Sequence, residues 1–330
     1  MAGSLEGHRS AALTRLEARP RAKVNLALAV TGRRQDGYHE LASVFLRVGL
    51  SDRLSVRYAA PALDQDRLTV EGSHGVPLEG NLVLRAVESL RAECGLPLPP
   101  LELTLEKRIP VAAGLAGGST DAAAALSLAA AMWGVGLSPR RGEALALALG
   151  ADVPFFTGDH AAALVTGVGE QLEPLPAPRG DAGLLIVTPA IRLSTSDVFR
   201  AWDELDQSAS RAARSGAVEA ASDLAAALRS GIDASQLVTW SDRLAAANDL
   251  WLAALAVEPY LARIRRELEE RLGQRVLLTG SGSTLVGLYP SAGEAAVAGR
   301  RLAAESPDLL SGSSMAACDL IGPDPLWRFP

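Results

Sequence analysis

The chain is 330 residues long, 48% apolar and 21% charged, with a formal net charge of −6. That length predicts about two domains with cores of their own, and the acidic balance excludes a surface built to coat nucleic acid or an anionic membrane. Cys94 and Cys318 are isolated and far apart, which argues against a disulfide framework and against a cysteine-rich zinc site.

Residues 1–19 read as a loose extension ended by Pro20. They carry Glu6, Arg9, Arg15, Glu17 and Arg19 with no apolar segment, unlike a secretory signal. From Lys23 the chain alternates as a strand through Val24, Leu26, Leu28 and Val30. It breaks at the polar turn Gly32-Arg33-Arg34-Gln35-Asp36-Gly37. Further strands are expected over Ser43–Val48 and Arg53–Tyr58, and a helix over Asn81–Cys94, where Leu82, Val83, Ala86, Val87 and Leu90 share a face. Leu101 to Ile109 alternates as a strand ended by Pro110. A glycine-rich turn then leads into an alanine-rich helix from about Ser119 to Trp133. The apolar run Ala122–Leu137 is shorter than the ~20 residues of a membrane span, so it reads as a buried helix in a cytoplasmic protein. Ser138-Pro139 opens one more helix, which stops at Gly150.

The proline-rich stretch Pro174-Leu175-Pro176-Ala177-Pro178 is the expected domain join, giving 20–174 and 175–330. Beyond it come a short strand, Leu184–Thr188, and a segment from Asp203 to Arg243 that reads as mobile or surface helices. Helical periodicity runs over Leu250–Leu272, followed by a Gly-Ser-Gly-Ser turn between two strands near Val276 and Tyr289. Strands and helices interleave without a regular βαβ cycle, so the fold class is α+β.

The strongest local signal is Pro110-Val111-Ala112-Ala113-Gly114-Leu115-Ala116-Gly117-Gly118-Ser119-Thr120-Asp121, set between a strand and a helix. Glycines allow close backbone approach, and a helix N-terminus presents unpaired N–H groups, so the pair makes an anion site suited to phosphate. Ser119 and Thr120 could cap the helix or offer hydroxyls to a phosphate or its magnesium. The loop is neither a Walker A motif nor a dinucleotide fingerprint. The second cluster, Thr279-Gly280-Ser281-Gly282-Ser283-Thr284, reads as a hairpin turn or as a second backbone clamp. His8, His39, His74 and His160 have no metal-ligand spacing, and no metal-binding residues are expected. Of 32 basic residues only Lys23 and Lys107 are lysine. Such scarcity makes both candidates for places where a compact ammonium is needed rather than a planar fork, with chance as the alternative reading.

Ala22-Lys23-Val24-Asn25-Leu26, Thr31-Gly32-Arg33-Arg34-Gln35-Asp36-Gly37-Tyr38-His39-Glu40-Leu41, the Lys107–Ala122 loop, Gly150-Ala151-Asp152-Val153-Pro154, Asn248-Asp249-Leu250 and Thr279-Gly280-Ser281-Gly282 follow one another in the chain. Together they resemble the GHMP kinase superfamily of small-molecule kinases. Within it, Asp36-Gly37-Tyr38-His39 resembles the members acting on a cytidine-diphosphate-linked polyol. The resemblance implies a two-domain α+β fold, with an N-terminal domain like the second domain of ribosomal protein S5 and a ferredoxin-like C-terminal domain. It implies ATP and Mg2+ as cofactors and a small-molecule alcohol as partner, with neither nucleic acid nor membrane; it says nothing of oligomeric state.

By the same resemblance Asp152 would be the base and Lys23 its ionic partner, with Asn25 fixing their geometry. Tyr38 and Phe199 would sandwich the cytosine ring and His39 would read its edge. Asn81 and Lys107 would lie by the adenine, and Pro110 through Thr120 would hold the phosphates. Ala112-Ala113 and Ala116 stand where many relatives have glycine, and Trp251 where an acidic residue is usual. The alternatives are a homoserine- or mevalonate-type kinase, against which Asp36-Gly37-Tyr38-His39 speaks, and a non-catalytic nucleotide-binding homologue, against which Lys23 and Asp152 speak.

Overall fold

The computed structural model describes residues 15–72, 78–158, 160–205 and 207–320; side chains of 207–215 lie outside the description. The first half runs β1 (Leu16–Ala18), β2 (Arg21–Arg33), β3 (His39–Ser51), β4 (Arg53–Tyr58), β5 (Arg67–Glu71), α1 (Leu82–Cys94), β6 (Leu101–Glu106), α2 (Gly117–Trp133), α3 (Pro139–Leu149), α4 (Val153–Thr157), β7 (Ala162–Gly167) and β8 (Gln171–Leu175). The second half runs β9 (Gly183–Thr188), α5 (Thr195–Glu204), α6 (Gln207–Ser230), α7 (Ala234–Val238), α8 (Ser241–Ala245), α9 (Trp251–Val257), α10 (Tyr260–Leu272), β10 (Leu277–Leu278), β11 (Leu285–Tyr289), α11 (Ala292–Glu305) and β12 (Ser314–Asp319).

Three sheets of four strands carry these elements, in the orders β1-β4-β6-β5, β2-β3-β7-β8 and β10-β11-β9-β12. Alternation in β6 buries Leu101, Leu103 and Leu105 beside Leu54 and Val56 of β4, and α1 and α2 complete that core. Ala122–Ala125, Ala129 and Ala130 of α2 are fully buried; small side chains allow the close packing that a bulkier helix would prevent. In the second half, β9, β10, β11, α11 and β12 give the strand order of a ferredoxin-like sheet, as the resemblance implied.

Several expectations are corrected. Leu16–Ala18 of the extension pairs antiparallel with β4, so the chain joins the fold before Pro20; residues 1–14 lie outside the described residues. β2 and β3 are each 13 residues long and reach past the turn expected at Gly32 to a tight turn at residues 34–38. β5 carried no recognised signal. The 203–243 segment is not wholly surface: among its described side chains, Ala217, Ala220, Ala221, Leu224, Ala225 and Leu228 of α6 are buried in one core with Val24, Leu26 and Val44 of the β2–β3 ladder. The helix expected over 250–272 is two helices, since Pro259 denies the first its continuation.

Candidate active site

A cleft of about 500 Å³ opens where β2, the 110–119 loop, the start of α4 and the 279–282 turn converge. It is lined by Lys23, Asn25, Asn81, Lys107 and Asp152, by every residue from Pro110 through Ser119, and by Phe199, Gly280 and Ser281.

Lys23 and Asn25 point the same way because they lie two apart on β2. Lys23 Nζ donates to Asn25 Oδ1 at 2.6 Å, lies 4.3 Å from the Phe45 ring centroid, and stands 3.5 Å from Asp152 Oδ2. Asn25 Nδ2 donates to Ser43 Oγ (2.8 Å), which in turn donates to the carbonyl of Ala27 (2.5 Å). This chain leaves one orientation for the amide, with its oxygen toward the lysine. Burial pulls the Lys23 ammonium below the ordinary lysine range, against the attraction of Asp152.

The two glycine clusters touch. A Cβ on Gly114 would meet the carbonyl oxygen of Thr279 at 2.3 Å, and one on Gly280 would meet that of Gly114 at 3.0 Å; both residues have positive φ. Thr279 Oγ1 accepts from the amide of Asn25 at 2.8 Å and faces the Gly114 carbonyl at 3.5 Å, so one hydroxyl joins β2 to both turns. Asn248 Nδ2 donates to the carbonyls of Leu278 and Gly280 and shapes the second turn from behind.

The helix signal is corrected in detail. Ala116, not Ser119 or Thr120, is the N-cap of α2, with φ 55° and ψ 32° and no side-chain capping bond. Ala112 is also left-handed at φ 54°. These two alanines hold the conformation that glycine adopts without strain. With no side chain capping α2, its first-turn N–H groups are free to meet an anion, and Gly117, Gly118 and Ser119 line the cleft there. Thr120 does not: it is fully buried and its Oγ1 has no hydrogen-bond partner.

Lys107 also lines the cleft, but its ammonium is bound by Asp52 and, at 2.7 Å, by Asp121 Oδ2. Asp52 Oδ1 accepts from the amides of Arg108 (2.5 Å) and Ile109 (2.8 Å), which ties the loop entrance to β4's start. One ammonium cannot match two buried carboxylates, and Asp52 has the backbone donors, so the excess falls on Asp121. Burial pushes that carboxyl up to about 8, against the pull of Lys107. Burial pulls Lys107 down, and the two carboxylates outweigh it, leaving it raised. Sequence reading missed Asp52, Asp121, Ser43 and the role of Thr279.

On the far side of the cleft, Phe199 forms part of the wall, but Tyr38 and His39 do not. Tyr38 is 66% exposed on the 34–38 turn. His39 stacks on Phe199 with centroids 4.7 Å apart and 20° between planes, and its Nε2 lies 2.7 Å from Asp203 Oδ1. Trp251 faces away into a separate groove, where Arg265 covers it at 4.5 Å. Asp249 Oδ2 accepts from the amide of Val30 and serves the fold. Among the described residues no group of three or more His, Cys, Asp or Glu is placed to hold a metal ion.

The Lys23–Asp152 pair stands beside a glycine-built loop and an uncapped helix N-terminus, and residues 81–167 match the family described as GHMP kinases N terminal domain. A 4-diphosphocytidyl-2-C-methyl-D-erythritol kinase of Mesorhizobium japonicum is 36% identical over 87% of this chain and 91% of its own length. One of Symbiobacterium thermophilum is 38% identical over 82% and 89%. A crystal structure of 4-(cytidine 5'-diphospho)-2C-methyl-D-erythritol kinase superposes with a TM-score of 0.67 at 32% identity, over 93% of this chain and 100% of that one. Homoserine kinase from Cytophaga hutchinsonii, at 15% identity and a TM-score of 0.66, shares the fold. The chain belongs to the 4-diphosphocytidyl-2-C-methyl-D-erythritol kinase family, a branch of the GHMP kinases.

Proposed function

We propose that the chain transfers the γ-phosphoryl group of ATP to the 2-hydroxyl of 4-diphosphocytidyl-2-C-methyl-D-erythritol, a step of the non-mevalonate isoprenoid precursor pathway. The observation that carries the reading is the Lys23–Asp152 pair set beside an uncapped helix N-terminus in a chain of this family. Phosphoryl transfer is mostly positioning and charge neutralisation. Asp152 Oδ2 takes the proton of the attacking hydroxyl. Lys23, 3.5 Å away, favours the developing alkoxide by opposite charge. Asn25 holds the ammonium, and the N–H groups from Gly114 to Ser119 meet the phosphates.

Asn81 and Lys107 line the adenine side in this reading. Phe199 and Tyr38 take the two faces of the cytosine ring while His39 reads its edge, so the base displaces the His39–Phe199 stack or adds to it. The two carboxylates on the cleft wall are each held by a lysine, and this donor set fits magnesium only as an ion that arrives on the nucleotide. Ser119 is the side chain left to meet it; bound there, the ion would neutralise phosphate charge. Residues 20–174 form the ATP-binding domain and 175–330 the C-terminal domain. No described helix is long and apolar enough to cross a membrane, and the reading assigns the reaction to the cytoplasm.

Phosphorus NMR of the product tests the chemistry. The expected spectrum gains one phosphomonoester on the polyol while the diphosphate resonances persist. Loss of the diphosphate, or free phosphate as the sole product, would contradict it.

A further inference from the structure

The β2–β3 register sets Arg47 directly opposite Lys23, and opposed residues on antiparallel strands share a face. Both side chains are almost wholly buried. Two like charges so placed oppose folding unless each is claimed by its own partners. Lys23 has Asn25 and Asp152. Arg47 has the last turn of chain in α4: its Nη2 donates to the carbonyls of Phe155 (3.2 Å) and Gly158 (3.1 Å). Its guanidinium carbon lies 5.5 and 5.9 Å from the centroids of Phe155 and Phe156.

α4 is five residues long and Asp152 is its N-cap, with no side-chain capping bond. A single turn has no stability of its own; Val153, Phe155 and Phe156 seat it in the core, and what holds its two ends sets where Asp152 lies. The C-terminal end is held by Arg47, and the N-terminal end carries the carboxylate that faces Lys23. The two cations of one strand pair therefore address the two ends of one helical turn.

We propose that Arg47 is a positioning residue: by gripping the C-terminal carbonyls of α4 it sets the distance between Asp152 and Lys23 that the reaction needs. The inference rests on Asp152 acting as the base. It predicts a defect in turnover rather than in binding, because neither carbonyl lies in the cleft wall and misplacing a reacting group by about 1 Å can cost about 100-fold.

The test is a double-mutant cycle in the full chain, with Arg47→Lys made alone and together with Asp152→Asn. A lysine keeps the charge but ends one bond short of the Nη2 that donates to both carbonyls, and it lacks the plane set beside Phe155 and Phe156. The expected result is a fall in kcat of about 10- to 100-fold for Arg47→Lys, with KM for ATP and for the alcohol changed by no more than about twofold. In the Asp152→Asn background the same change costs nothing further, since the residue being positioned has lost its function. An equal proportional loss in both backgrounds, a rise in KM with kcat intact, or full activity would overturn the proposal. If Arg47→Lys does not fold, Arg47→Gln replaces it, and failure of both to fold overturns the proposal too, because Arg47 would then hold the core rather than the base. Full turnover in Asp152→Asn alone is a separate outcome: it removes the base on which the inference rests, and the Arg47 comparison is not needed to see it.

Discussion

Lys23 and Asp152 meet at 3.5 Å with unequal exposure: the lysine side chain is 5% accessible and the aspartate 31%. Both line the cleft, but the cation is nearly buried and the carboxylate is the more open of the two to a molecule there. That asymmetry separates the roles. The more exposed aspartate can exchange a proton with an alcohol, while the buried ammonium beside it is held in place.

Replacing Asp152 by asparagine keeps the shape and removes the proton acceptor. Turnover is expected to fall by about 10²- to 10⁴-fold, the usual contribution of a positioned base. Calorimetric affinities for ATP and for the alcohol are expected to stay within about threefold. Unchanged turnover would remove Asp152 as the base.

Lys23 sits between Asn25, Asp152 and the ring of Phe45, contacts that a compact ammonium makes and a planar guanidinium does not reproduce. Lys23→Arg is therefore expected to lose at least about tenfold in kcat despite keeping the charge. Burial lowers the Lys23 pKa, so the protonated form that supports Asp152 is lost at lower pH than for an exposed lysine. The alkaline limb of kcat is expected below the usual lysine range. A profile flat to pH 10.5, the ordinary lysine value, would contradict this.

Asp121 gives a stability prediction with a definite sign. Its folded pKa is raised to about 8 from 3.8, so the folded chain holds a proton that the unfolded chain releases. Stability from this group is fully present below about pH 4 and is lost as pH rises through about 8. Asp121→Asn is expected to remove that decline, so thermal midpoints of wild type and variant diverge as pH rises from 6 to 9, in favour of the variant. Parallel curves would refute it. Lys107→Met leaves the buried Asp52 carboxylate without its cation, beside the protonated Asp121, and is expected to cost about 3–5 kcal/mol in denaturant unfolding near neutral pH.

Gly114→Ala combines a left-handed backbone (φ +75°) with a Cβ 2.3 Å from the Thr279 carbonyl oxygen. The conformation alone costs of order 1–3 kcal/mol, and the clash forces the two glycine turns apart. KM for ATP is expected to rise together with the loss of stability. Gly134→Ala is the control: its φ is +66° and nothing lies within 4 Å of the added Cβ. It should lose stability with KM unchanged.

What was legible in the chain was local. Alternation from Leu101, the shared helical face of Leu82, Val83, Ala86, Val87 and Leu90, and the stop at Gly150 each depend on neighbours a few residues apart. Lysine scarcity carried longer-range information, for both lysines are buried in the cleft wall against aspartates. The α6 stripe was present as Ala217, Ala220, Ala221, Leu224, Ala225 and Leu228 at helical spacing. Its small residues suggested a surface, whereas they permit close packing on β2. Asp52, Asp121 and Arg47 were illegible because their partners are brought by topology: Arg47 meets Phe155 across 108 positions. Tyr38 and His39 carried the specific motif, yet the turn that bears them stands outside the cleft wall, with His39 committed to Phe199 and Asp203.

The central claim is the choice of acceptor. ADP release from ATP and magnesium, measured with 4-diphosphocytidyl-2-C-methyl-D-erythritol, homoserine and mevalonate in parallel, tests it most directly. Turnover with the cytidine-bearing alcohol alone is the expected result. Turnover with homoserine or mevalonate instead, or ATP binding with no turnover on any of the three, would contradict it.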